Sequence, residues 1–240
     1  MTRVASETFS TVGVTAVTNA LILVSRYSFY NRTLDPHTSN SAMTWQRELS
    51  SWMSPPRLKT ADAPAVGQKA PSLPSLEGSV QNGKPTIISF LRHCGCPFAE
   101  KTFLDLRAIA PTNLDVHFVA VSHSNQESTD KWLASLPDPS RNKQPNLYVI
   151  VDAERETYAA WGLDTSGVWH VLASMPSVLK LANKEGIKVR PTESGSRWQT
   201  AGDFAIDGEG IVRWSRKNER ADDMPDFKEG LDALLKDRGE

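Results

Sequence analysis

The stretch "PTIISFLRHCGCPFAEKTFLDLRAIA", residues 85 to 110, decides how the chain is read. Residues 85 to 91 form a continuous apolar, β-branched run, the pattern of a strand covered on both faces. Pro97 then stands where a helix has its first turn, and Phe103, Leu106 and Ala110 recur on one helical stripe behind it. Between strand and helix lie both cysteines of the chain, Cys94 and Cys96, with Gly95 between them and Arg92 and His93 just before. The junction is either a working thiol centre or a pair of small buried hydrophobes.

Downstream, the same alternation of strand and helix continues. "LDVHFVAVS" (114–122) reads as a second buried strand, and "NQESTDKWLASL" (125–136) as a helix capped by Ser124 or Asn125. "NLYVIVD" (146–152) reads as a third strand, followed by a short helix in "ERETYAAWGL" that Gly162 closes. Residues 164 to 200 have no clear pattern, apart from a helix started by Pro176 in "MPSVLKLANKEG". "GDFAIDGEGIVRWS" (202–215) is a hairpin turning at Gly208 and Gly210, and "PDFKEGLDALLKD" (225–237) is an amphipathic helix with Phe227, Leu231 and Leu234 inward. Parallel strands joined by right-handed crossovers, then an antiparallel pair and a helix, predict an α/β class fold: a thioredoxin-like α/β/α sandwich with a mixed central sheet and an N-terminal extension.

The extension is taken as residues 1–65 and the thioredoxin-like domain as 66–240. Residues 1–33 have one acid, Glu7, and no further charge before Arg26. Thr15, Thr18, Asn19 and Ser25 interrupt the apolar run, which disfavours a membrane span of ~20 apolar residues, and no small-residue cleavage site follows Val24. The preferred reading is a helix or arm packed on the domain, with a mitochondrial leader as the alternative. Residues 41–53 hold a short helical candidate with Trp45, Leu49 and Trp52, and the proline-bearing stretch 54–75 reads as a linker or surface arm.

In 240 residues, 27 Lys and Arg against 28 Asp and Glu leave a formal charge of -1, so no field draws in nucleic acid or an anionic membrane, and neither is expected as a partner. Two closely spaced cysteines do not make the disulfide scaffold of a small secreted domain. A reducing compartment fits better, and the localisation expected is cytoplasmic, with mitochondrial as the alternative.

A cysteine is nucleophilic as the thiolate, and a free one with pKa of about 8.5 is mostly protonated at neutral pH. Cys96, just ahead of Pro97, meets the unpaired N–H groups and positive end of the predicted helix, which favour the anion. It is taken as the reactive sulfur. Cys94 is then its partner in a tight disulfide across Gly95, or a packed bystander, because free cysteine is often simply a small buried hydrophobe. Arg92 and His93 are candidates for cationic or hydrogen-bonding support, although consecutive side chains at a strand end point in different directions. Cys94, Cys96 and His93 lack the second ligand cluster of a metal site, and no cofactor is expected. His117, within the second strand, and His123 read as structural, and the tryptophans Trp161, Trp169, Trp198 and Trp214 as packing residues, some of which are candidates to wall a pocket.

Beyond these local readings, the stretches "VGQKAPSLPSLEG" (66–78), "GKPTIISFLRHCGCPFAEKTFLDL" (83–106), "LYVIVDAERETYAAWGL" (147–163) and the tail from Ala201 to Leu235 together resemble the AhpC/TSA type of protein, and specifically the peroxiredoxin-like branch that includes prostamide/prostaglandin F synthase. The resemblance implies a thioredoxin fold with Cys96 at the reactive position and thiol-dependent reduction of peroxides or endoperoxides. It also implies an external thiol or thioredoxin-type reductant as partner. The sequence departs from that pattern at several points. Ala99 stands where many members of the branch carry a second cysteine, Ser89 and His93 stand where peroxiredoxins proper place a proline and a threonine, and Ala201 falls near their distant arginine. Thr200 falls near the position of the thioredoxin cis-proline. Either Arg92 and His93 take over the missing roles or the reaction differs.

Three functions are therefore weighed: a thiol oxidoreductase in which Cys94 or an external thiol resolves oxidised Cys96; a small-molecule enzyme with a hydrophobic substrate in a pocket at Cys96, walled by 164–200; and a non-catalytic thioredoxin-like module with inert cysteines.

Overall fold

A computed structural model describes residues 55–73, 83–167 and 194–236, with positions 177, 181, 184–187, 190 and 192 between the last two segments. The readings of residues 1–54 as arm or leader, of the short helix at 41–53, and most of the helix expected at 175–186 lie outside the described residues. The elements are β1 (Thr86–Phe90), α1 (Pro97–Ile109), β2 (His117–Ser122), α2 (Gln126–Ser135), β3 (Leu147–Val151), α3 (Glu156–Ala160), β4 (Gly202–Ile206), β5 (Val212–Lys217) and α4 (Phe227–Lys236). Each strand and helix expected among these residues is present.

The sheet order is β3-β2-β1-β4-β5. β1, β2 and β3 are parallel, while β4 runs antiparallel to both β1 and β5. Two successive crossovers in one direction place α1 and α2 on one face of the sheet, and the return from β3 across to β4 carries α3 to the other. This is the thioredoxin-like α/β/α sandwich with a mixed sheet. Because side chains alternate along a strand, Ile87, Phe118, Ala120 and Ala205 pack with Phe103 and Leu106 of α1, Trp132 of α2 and Leu234 of α4. Ile88, Phe90, Val119, Val121 and Phe204 pack on the opposite face with Tyr158, Trp161 and Leu163. β1 and β2 are buried on both faces, which is why their sequences are largely apolar.

Phe103 is fully buried, with its ring 5.5 Å from that of Trp132. Phe103→Ala leaves a void between α1 and α2, and the expected loss is about 3–5 kcal/mol, read from the midpoint of denaturant unfolding.

Residues 61–70 run along the domain as an arm. Ala61 donates its N–H to the Ala159 carbonyl at 2.9 Å, and Gly67 and Ala70 donate to Val212 and Gly210 at 2.8 and 2.9 Å. Gly162 has φ +77, and a Cβ there would meet the Ala63 backbone nitrogen at 2.3 Å, so only glycine lets the arm lie this close.

Candidate active site

Tyr158 fixes where β1 and β2 end. Its buried hydroxyl lies 2.7 Å from both the Leu91 and Val121 carbonyls, tying the two strands together at the point where the cysteine loop leaves the sheet. Burial pushes its phenol well above the usual range, so it is a fixed neutral donor. Residues 93–96 then make a tight turn, closed by Cys96 N–H donating to the His93 carbonyl at 3.1 Å, with Gly95 at φ 98 in its third position. A type II turn requires positive φ there. Gly95→Ala is expected to cost about 1–2 kcal/mol by the steric penalty of that conformation, measured as a lowered unfolding midpoint.

The turn delivers Cys96 to the N-cap of α1, with Pro97 in the first turn and no side-chain capping bond. The residue is 6% exposed. Glu100, in the same first turn and itself buried, receives Arg190 Nε at 2.9 Å. Arg190 also donates its backbone N–H to the Gly95 carbonyl at 3.1 Å, so a guanidinium is held beside the start of the helix.

Cys94 points into a set of hydroxyls. Its Sγ donates to Thr129 Oγ1 at 3.8 Å and lies 3.6 Å from Ser122 Oγ, while its backbone N–H donates to Ser124 Oγ at 3.0 Å. Thr129 gives its own proton to the Ser124 carbonyl, so it faces the sulfur as an acceptor, and the arrangement suits a protonated thiol. Burial pushes the Cys94 thiol up, outweighing the hydroxyls that favour its anion. Both cysteines are free.

Arg92 and His93 diverge. Arg92 is buried and donates through Nη2 to the Arg197 carbonyl at 2.7 Å. His93 Nδ1 lies 3.1 Å from the Cys94 carbonyl, an acceptor only, so the proton sits on Nδ1. Burial, reinforced by the Arg197 and Arg92 charges, holds His93 well below the usual imidazole range. It is neutral there, so the cationic support considered for it on sequence grounds is not what this geometry favours. His123, with Nε2 against the Ser196 backbone at 3.1 Å, is likewise neutral, held down to about 4 chiefly by burial.

Several residues of this region carry no sequence motif: Glu100, Arg190, Arg197 and the pair Ser89 and Asp203. Ser89 interrupts the apolar run of β1, and Asp203 has the inward register of Ala205; those were the available signals. Ser89 Oγ donates to Asp203 Oδ1 at 2.6 Å, and burial pushes the Asp203 carboxyl up to about 7. Beside them, under the first turns of α1, a cavity of about 10 Å³ is lined by Arg92, Phe98, Ala99, Asp203 and Asn218 among others. It has room for one water at most, so it is not the substrate pocket considered for this loop. Trp161 and Trp198 are buried, and Trp169 lies outside the described residues. Among the described residues, no group of three or more His, Cys, Asp or Glu is arranged to hold a metal ion, and no helix is long and apolar enough to cross a membrane.

No protein-family profile and no curated protein sequence matches this chain. Among solved structures, it is similar to a thiol peroxidase from Chromobacterium violaceum, at 14% identity over 77% of this chain and 93% of that one, with a TM-score of 0.48. A peroxiredoxin-like protein from Aquifex aeolicus is similar at 16% identity over 75% and 98% of the two chains, with a TM-score of 0.49. A reduced 2-Cys peroxiredoxin from Plasmodium vivax is similar at 13% identity over 72% and 82%, with a TM-score of 0.47.

Proposed function

We propose that the protein is a thiol-dependent oxidoreductase that reduces the O–O bond of a peroxide or endoperoxide through Cys96. The observation that carries this reading is the position of Cys96 as N-cap of α1, where Pro97 has no N–H and no side chain occupies the free N–H groups of the first turn. A sulfur at such a position has the positive end of the helix beside it. Cys94, by contrast, sits in hydroxyl surroundings that suit the neutral thiol.

With a hydroperoxide, the Cys96 thiolate attacks the distal oxygen, the O–O bond breaks, and the alcohol leaves after taking a proton; Cys96 is oxidised to the sulfenic acid. An external thiol condenses with it, releasing water and forming a mixed disulfide. A second external thiol then restores Cys96 and departs as the oxidised disulfide. The net exchange is one peroxide and two thiols for one alcohol, one water and one disulfide. Arg190 and Glu100 hold the helix start, and Arg92 and His93 hold the loop through the Arg197 and Cys94 carbonyls. Assignment of an endoperoxide substrate, as in the prostamide/prostaglandin F synthase branch, rests on the sequence resemblance alone.

The test is alkylation with a small thiol probe at neutral pH, mapped by mass spectrometry. Cys96 is expected to be modified well before Cys94. Equal, slow modification of both would leave an inert thioredoxin-like module instead.

A further inference from the structure

A second cleft, of about 260 Å³, lies between the arm at residues 57–60 and the loop that follows α3. Its lining includes Arg57, Thr60, Arg155, Asp164, Thr165 and Gln199. The charges there do not balance internally. Among the described residues, neither Arg57 nor Arg155 has a carboxylate partner; Arg155 Nη2 donates to the Pro56 carbonyl at 3.0 Å. The one acid, Asp164, is already met by Lys217 at 3.2 Å. Gln199 is 1% exposed, and its Nε2 donates to the Leu163, Asp164 and Thr200 carbonyls, which fixes the amide orientation. Its Oε1 accepts no hydrogen bond from the described residues, so a fixed acceptor is left at the wall of the cleft.

We propose that this cleft binds a small organic anion. Its carboxylate or phosphate sits between Arg57 and Arg155, and an O–H or N–H of the same molecule donates to Gln199 Oε1. Two guanidiniums without counter-charges supply forked donors for an oxyanion, and the Thr165 hydroxyl adds a neutral one. The arm supplies Arg57, so the seating of Ala63 against Gly162 is part of the site. Nothing in this binding involves Cys96, and it stands or falls separately from the thiol chemistry.

The experiment is isothermal titration of the full chain with citrate and with inorganic phosphate at constant ionic strength, with glycerol as the neutral control. Saturable binding of at least one anion is expected, weakened roughly tenfold or more in Arg57→Ala and in Arg155→Ala. Binding of citrate alone assigns the carboxylate as the recognised group, and binding of phosphate alone assigns the phosphate. Arg57 is exposed, so its variant reads the site even where Arg155→Ala does not fold. Absence of saturable binding by either anion, or binding undiminished in Arg57→Ala, overturns the proposal.

Discussion

Cys96→Ser is expected to reduce thiol-dependent peroxide consumption to the rate of the buffer, a loss of at least ~10³-fold, while Cys94→Ser retains turnover. Serine replaces sulfur by oxygen in nearly the same volume, so the N-cap geometry of α1 is preserved and the nucleophile alone is lost. Cys94 is different: its sulfur is a donor to Thr129 within a closed set of hydroxyls, and a serine hydroxyl satisfies the same partners. Turnover is followed as peroxide loss with a small thiol in excess. Equal rates for Cys96→Ser and the unmodified chain would sink the oxidoreductase reading. If Cys94→Ser abolishes turnover while its fold is intact, the resolving step belongs to Cys94 and not to the external thiol.

The second large effect concerns stability. Asp203 is 2% exposed and titrates at about 7 because burial disfavours its charge; Ser89 and Arg216 pull the other way, and Asp223 adds repulsion. In the unfolded chain it titrates near 3.8. Between those values the unfolded state has lost a proton that the folded state keeps, so this residue makes stability fall as pH rises through the window, and its effect levels off above about 7. At ~1.4 kcal/mol for each pH unit of the gap, the upper bound is roughly 4 kcal/mol. Asp203→Asn keeps an oxygen for Ser89 and removes the titration. The variant is expected to match the unmodified chain at pH 4 and to exceed it in stability at pH 8 by up to that amount, in urea unfolding at both values. A difference that does not change with pH would refute the assignment of a buried, neutral Asp203.

The fold was largely legible because its signals are local. β1, β2 and β3 announce themselves by continuous apolar runs, α2 by the Asn125 cap, whose side chain accepts the Ser128 N–H at 2.9 Å, and the β4–β5 hairpin by Gly208 and Gly210. The position of Cys96 at a helix start was legible for the same reason, since Pro97 follows it. What the sequence withheld depends on contacts between distant parts of the chain. Glu100 and Arg190 are 90 positions apart, Arg92 and Arg197 are 105, and Ser89 and Asp203 are 114. No periodicity links such pairs; only the order β2-β1-β4 and the return of the chain over the loop bring them together. The neutrality of His93 was hidden for the same reason, since part of its cause is a guanidinium more than a hundred residues away.

The segment 194–197 lies across the loops that follow β1 and β2. Ser194 accepts from Asn125 N–H at 3.0 Å through its hydroxyl and from Ser124 Oγ at 3.1 Å through its carbonyl, and the Arg197 carbonyl takes Arg92. Gly195 fits because a Cβ there would meet Ser124 Oγ at 3.0 Å and the His123 ring at 3.1 Å. Cys96 is itself only 6% exposed, so a probe or substrate reaches its sulfur through a local opening of the structure. The observed rate constant is then the intrinsic one multiplied by the fraction of time the surroundings of Cys96 are open. Reactivity is thereby set by a local equilibrium as well as by the nucleophile, and dilute urea, well below the unfolding midpoint, should quicken alkylation of Cys96.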